Sequence, residues 1–225
     1  MLHYFTINTI AETICFLIAL VCLTRDTSPA WRSMVIFLFI TCVTEMMGIY
    51  FKRLFLADRV HHHQNVWLYN ILLVFQAGFI SFMFQHLLSK YVNSKPVVIS
   101  GLALFAVIYV YGLLRFGVFV YNEEANTTML VIFVLYSFYY YYNLLKDDNY
   151  VNLWRSADFW WVAGLLLFYF GSTASDVFFD NLSPYRASSL RDLSSSIFKA
   201  LNILLYGFWS YSFICRKWLT TTSAD

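Results

Sequence analysis

Four ionisable side chains stand inside long apolar stretches of this sequence: Glu12, Glu45, Asp176 and Lys199. A charged group in hydrocarbon costs roughly 2.5–3.5 kcal/mol on insertion scales, so each such residue marks a candidate ligand, ion or proton site. Asn70, Gln76, Asn202 and Tyr206 are polar neighbours in the same kind of stretch. Carboxylates in such a set accept hydrogen bonds or bind cations, and Lys199 is the natural counter-charge. Two readings stand at this point. The set is a solute or proton site, or it is interhelical glue worth on the order of 1 kcal/mol per contact.

The elements that must position these groups follow from composition. The 225 residues are 60% hydrophobic and 12% charged, against a usual charged share of about 25% in soluble domains, so the solvent for most of the chain is lipid. The apolar residues fall in blocks of roughly 20, enough for a helix to cross about 30 Å of hydrocarbon, and they lack the alternation of a β-barrel. Seven helical spans are predicted in an all-α polytopic transmembrane bundle: Tyr4 to Leu23, Trp31 to Phe51, Val66 to Leu88, Pro96 to Arg115, Thr127 to Leu145, Phe159 to Phe179 and Leu193 to Cys215. They form one domain, 1–225. The first span is expected to be a retained helix, because no basic residue precedes it and Glu12 interrupts its apolar core.

Lys and Arg near the span ends, Arg216 and Lys217 above all, favour an inner C-terminus and an outer N-terminus. In that orientation Glu12 lies about 12 Å below the start of the first helix and Glu45 about 10 Å below the end of the second, at matching depth. On the seventh helix Asp192, Ser196, Lys199, Asn202, Tyr206 and Trp209 recur at three or four residues and should share an inward face. The expected result is a polar pocket in the outer half of the bundle. Gly164, Gly171 and Ser175 form a small-residue stripe suited to close helix packing. Tyr139 to Tyr142 with Trp160 and Trp161 suggest an interfacial aromatic belt.

Other chemistries are poorly supplied. A net charge of +2 without a Lys/Arg cluster does not suggest nucleic acid. His3, His61, His62, His63 and His86 are the histidines, none in mid-span, so an intramembrane hydrolase is not indicated. His61 to His63 with Asp58 form a loop motif whose readings are metal or pH sensing and, more simply, a solvated loop. No metal or cofactor site is assigned. Cys15, Cys22, Cys42 and Cys215 lie in or beside apolar spans, as buried hydrophobes do. Asn126-Thr127-Thr128 and Asn181-Leu182-Ser183 match the glycosylation pattern. Paired repeats and proline-broken spans, frequent in secondary transporters, are missing. Lys199 on the seventh helix admits a remote alternative, a retinal Schiff base, although the third helix offers Asn70 and Gln76 where a carboxylate is usual.

Glu45, then Asn65 with Leu68-Tyr69-Asn70 opening the third helix, then Phe159-Trp160 and Phe168-Tyr169-Phe170-Gly171 on the sixth, resemble small, uncharacterised seven-helix membrane proteins of Bacteroidota-type bacteria. More distantly the layout is similar to seven-helix sensory modules that bacteria fuse to signalling domains, from which this chain departs by showing no effector after Cys215. The resemblance implies a multi-pass protein of a cell membrane, the bacterial inner membrane. The expectation is a sensor, receptor-like or accessory protein whose pocket of Glu12, Glu45, Asn70, Gln76, Asp176, Lys199, Asn202 and Tyr206 takes a small ligand or lipid. Its partners would be membrane lipids and a membrane or cytoplasmic protein. The alternative is a proton-coupled or small-solute transporter using Glu12 and Glu45.

Overall fold

A computed structural model describes residues 6–58, 65–147, 152–181 and 188–219. They form seven α-helices: α1 Ile7–Leu23, α2 Pro29–Ala57, α3 Val66–Leu88, α4 Lys95–Phe116, α5 Glu123–Lys146, α6 Ala157–Asn181 and α7 Ser188–Ile214. No strand occurs among the described residues. A 3-10 turn, Leu153–Arg155, precedes α6, and one π-helical turn, Cys215–Leu219, ends α7. Helices α2, α3, α4, α5 and the segment Leu193–Leu219 are each long and apolar enough to cross a membrane. Helix α1 is apolar but has 17 residues, about 26 Å of rise. The mean hydropathy of α6 is lowered by Trp160, Trp161 and Tyr169 and by the Ser172–Thr173 pair.

Local chemistry sets the ends. Thr6 Oγ1 accepts from Thr9 N–H at 3.2 Å to cap α1, and Asn122 Oδ1 accepts from Ala125 N–H at 3.1 Å to cap α5. Glu123 and Glu124 then lie in the first turn of α5, where the helix dipole favours negative charge. Pro29 and Pro96 stand in the first turns of α2 and α4, where a missing N–H leaves no helical bond unmade. Gly117, at a φ of 79°, closes α4 in the left-handed conformation that glycine adopts without steric cost.

The helix α2 continues six residues beyond the predicted end at Phe51, since Lys52-Arg53-Leu54-Phe55 contains no helix breaker. Each helix packs on its neighbours in chain order and α7 closes the ring on α1, while α3 also packs on α5. Trp31, Trp161, Tyr140, Phe84, Phe133 and Phe213 fill the centre. Phe84 meets Trp161 edge-on at 5.5 Å, and Trp161 stacks on Trp209 at 6.0 Å. The anticipated aromatic belt is therefore divided. Tyr140 and Trp161 are core, whereas Tyr142 faces outward, because consecutive residues on a helix point about 100° apart. The glycine stripe works as expected of close packing: a methyl group on Gly164 would stand 3.1 Å from Phe208 Cβ, and one on Gly171 2.8 Å from Leu201 Cδ2, both on α7.

At the end of the bundle where α1 finishes and α2 begins, Arg216 grips Asp26 through two of its guanidinium nitrogens, Nε to Oδ2 at 2.9 Å and Nη2 to Oδ1 at 3.2 Å. Ser28 N–H donates to Asp26 Oδ1 at 2.7 Å, Lys217 Nζ donates to the Val21 carbonyl at 2.8 Å, and the Arg216 guanidinium lies 5.6 Å over Trp31. Burial pushes the Asp26 carboxyl up, but its bond to Arg216, the Ser28 N–H and the Arg216 charge outweigh that and hold it below the usual carboxylate range. Beside this lock, Lys90 pairs with Asp158.

Candidate functional site

The opposite end, where α1 starts and α2 finishes, holds two chambers with a common wall. The outer one, about 450 Å³, lies among α1, α2, α3 and α7; Asn8, Thr9 and Glu12 line it from α1, and Glu45 and Lys52 from α2. The inner one, about 260 Å³, is lined by Phe37, Gln76, Phe168, Tyr169, Leu205 and Trp209, among others. Glu45, Tyr69, Asn202 and Tyr206 line both, so the chambers meet at these four side chains.

Helical spacing explains the set. Asn8 and Glu12 are four residues apart on α1, Thr41 and Glu45 four apart on α2, and Asn202, Tyr206 and Trp209 follow at four and three on α7, so each helix presents one polar stripe. Glu12 and Glu45 are close enough for their charges to interact, and Thr41 and Cys42 of α2 stand against the Glu12 carboxyl. Counted from the helix ends the two lie at different depths, about 7.5 Å along α1 and about 18 Å along α2, because α2 projects further. Their meeting depends on the placement of the helices.

The carboxyls are not equivalent. Glu45 is half-buried and Tyr69 Oη donates to its Oε2 at 3.4 Å. Glu12 is 3% exposed, and its Oε1 has no hydrogen-bond partner among the described residues. Asn8 Oδ1 is likewise without one. In the inner chamber Ser172 Oγ is buried and unpartnered, at 1% exposure of its residue. Lys52 is exposed on the rim, and no ion pair joins it to either carboxylate among the described residues.

Of the residues anticipated from sequence, Glu12, Glu45, Gln76, Asn202 and Tyr206 come together here. Asn70 does not. Its side chain faces away from Tyr69 and fastens the α4–α5 corner: Nδ2 donates to the carbonyls of Val118 and Val120, each at 2.9 Å, and Oδ1 accepts from Asn122 N–H at 3.1 Å. Tyr109 Oη donates to the Asn70 carbonyl at 3.1 Å, and Asn122 Nδ2 to the Tyr109 carbonyl at 3.0 Å. The amide is used up in backbone bonds.

Lys199 is exposed and lines neither chamber, and Ser196 above it is exposed too, so the inward face of α7 begins at Asn202. The proposed counter-charge is thus not inside the pocket. Asp176 belongs to α6, and its side chain lies outside the described residues, as do Asp192 and the motif His61 to His63. Asn126 is helical, in the first turns of α5, and lines the inner chamber, which is not the surface loop a glycan needs. Sequence reasoning missed Asn8, Thr9, Tyr69 and Ser172. The first two sit one turn before Glu12, a signal present in the spacing alone.

No family model, curated protein or solved structure matches the chain.

Proposed function

We propose that this chain is a receptor-like membrane protein, a sensor or an accessory subunit, that binds a small ligand or lipid in the two-chamber pocket, with the pocket facing outward and Arg216 and Lys217 inside. One observation carries the reading: Glu12, almost wholly buried, lines a chamber of about 450 Å³ and keeps one carboxyl oxygen without a partner among the described residues. Native structures pair nearly every buried polar atom, and leaving one unmet costs about 1–3 kcal/mol, so an unmet acceptor in a cavity wall is a place prepared for a donor from outside the fold.

Binding is favoured over passage by the packing beneath the pocket. Trp31, Met34, Leu38 and Phe213 are fully buried across the middle and far part of the bundle, and Asp26 pairs with Arg216 at that end. A carrier moving protons or solutes through Glu12 and Glu45 would need a route past that core. The exposed position of Lys199 gives the retinal alternative no enclosed amine.

The test has two arms. The protein purified in mild detergent is examined by native mass spectrometry for a co-purifying mass, and in proteoliposomes for proton and solute flux. The expected result is a bound small molecule or lipid that is released by Tyr206→Trp, a substitution that fills the common wall, with no flux above empty liposomes. Flux abolished by Glu12→Gln would instead establish the carrier.

A further inference from the structure

We infer that the pocket selects a small amphiphile carrying a protonated primary amine, with the ammonium at Glu12 and Glu45 and an apolar, ring-sized body in the inner chamber. This rests on the reading of the pocket as a binding site and names the class of ligand.

The argument begins with hydrogen-bonding type. Carboxylates and amide oxygens accept, and the unmet groups of the outer chamber, Glu12 Oε1 and Asn8 Oδ1, are both acceptors. The missing partner is a donor. Acidic side chains outnumber basic ones in the chamber's lining, Glu12 and Glu45 against Lys52 exposed on the rim, which suits a cation better than an anion. A metal ion is a poorer answer, since no group of three or more metal-ligating side chains exists among the described residues. An ammonium supplies several donors and one charge together.

The body follows from the second chamber. Phe37, Phe168, Tyr169 and Trp209 with Leu205 give it an aromatic and aliphatic side, beside the polar Gln76, Asn126 and Ser172, and its volume of about 260 Å³ exceeds the roughly 150 Å³ of a cavity that holds benzene. The chambers meet at Glu45, Tyr69, Asn202 and Tyr206, so a molecule crossing that wall puts its polar head among acceptors and its tail among rings. Tyr69 and Tyr206 flank the crossing point, and an aromatic ring attracts a cation that lies over its face. The unmet oxygen needs N–H, so a primary ammonium should be preferred to a quaternary one.

The experiment measures equilibrium binding to the full chain in detergent micelles, with radiolabelled phenethylamine as probe and three competitors: its trimethylammonium analogue, 2-phenylethanol and 3-phenylpropionate. Phenethylamine should bind saturably and at least tenfold more tightly than the alcohol, with the trimethylammonium analogue between them and the carboxylate weakest. Glu12→Gln should reduce the amine's advantage over the alcohol to under threefold, and Glu45→Gln, used where the first variant does not fold, should lower it in the same direction. Competition with phosphatidylethanolamine against phosphatidylglycerol then separates two sources of the same ammonium: displacement by the former alone assigns it to a lipid headgroup, and no displacement assigns it to a free amine. Alcohol binding as tight as amine binding and unchanged by Glu12→Gln overturns the ammonium and leaves the pocket standing. Failure of every probe to bind saturably overturns this inference, and the pocket itself is then judged by the co-purifying mass described above.

Discussion

Adjacent residues on α3 serve two buried polar regions of opposite character. Asn70 enters a knot in which its amide makes three bonds to backbone and its own carbonyl accepts a fourth. Tyr69, one residue earlier, turns to the chambers, where Glu12, Asn8 and Ser172 keep oxygens unmet. Both regions are polar groups buried near one end of an apolar bundle. The difference is saturation: the knot spends its hydrogen-bonding capacity on the fold, and the chamber withholds it. Polarity in a membrane span therefore does not mark a site by itself, and unsatisfied polarity beside open volume does.

The largest expected effect breaks the knot. Asn70→Ala removes the donor to Val118 and Val120 and the acceptor for the buried Asn122 N–H, so three backbone groups of the corner lose their partner at once. A loss of about 3 kcal/mol in reversible unfolding from mixed micelles is expected, with ligand binding retained in the folded fraction. A loss under about 1 kcal/mol would show that the corner finds other partners and that the knot is no more structural than the chamber.

The Asp26–Arg216 lock offers a second saturated region built with charge. The Asp26 side chain is 9% exposed, and Arg216→Ala leaves its carboxylate with the Ser28 N–H alone, for an expected loss of about 2–3 kcal/mol by the same measurement. The pH dependence has a definite sign. The folded carboxyl is held below its ordinary range, so its contribution is complete above the unfolded value of about 4 and is lost as pH falls through the lower, folded value. Melting temperature should thus decline on acidification below about pH 4 in the native protein and decline less in Asp26→Asn. Parallel curves would remove Asp26 from the acid response.

Much of the architecture was legible because lipid imposes a simple rule: α3 runs from Val66 to Leu88, as its apolar block indicates, and α4 matches its block to within a residue at each end. The overrun of α2 was not, since Lys52 and Arg53 look like a span end to a hydropathy rule although nothing in them stops a helix. The meeting of Glu12 with Glu45 was anticipated from depth, yet depth along two helices says nothing of rotation about their axes. Rotation is what sends Asn70 to the corner and leaves Lys199 exposed while Asn202 and Tyr206 face the chambers. It is set by close contacts such as Gly164 against Phe208 and Gly171 against Leu201, which belong to pairs of helices and not to either sequence alone.

The smallest expected effect, and the one that separates the two regions most sharply, comes from Glu12→Gln. In a saturated region the loss of a polar group is a loss of stability. In the chamber, Glu12 adds an acceptor to a wall already carrying Asn8 Oδ1 and the Glu45 carboxyl, and the glutamine amide adds N–H donors among those acceptors while removing one of two neighbouring acidic groups. Empty protein should therefore be unchanged or gain about 1 kcal/mol, the opposite sign to Asn70→Ala, while its preference for an ammonium falls. Groups kept for function commonly cost stability in this way. A stability loss approaching that of Asn70→Ala would mean that Glu12 is tied into the fold as Asn70 is, and the contrast between knot and chamber would collapse.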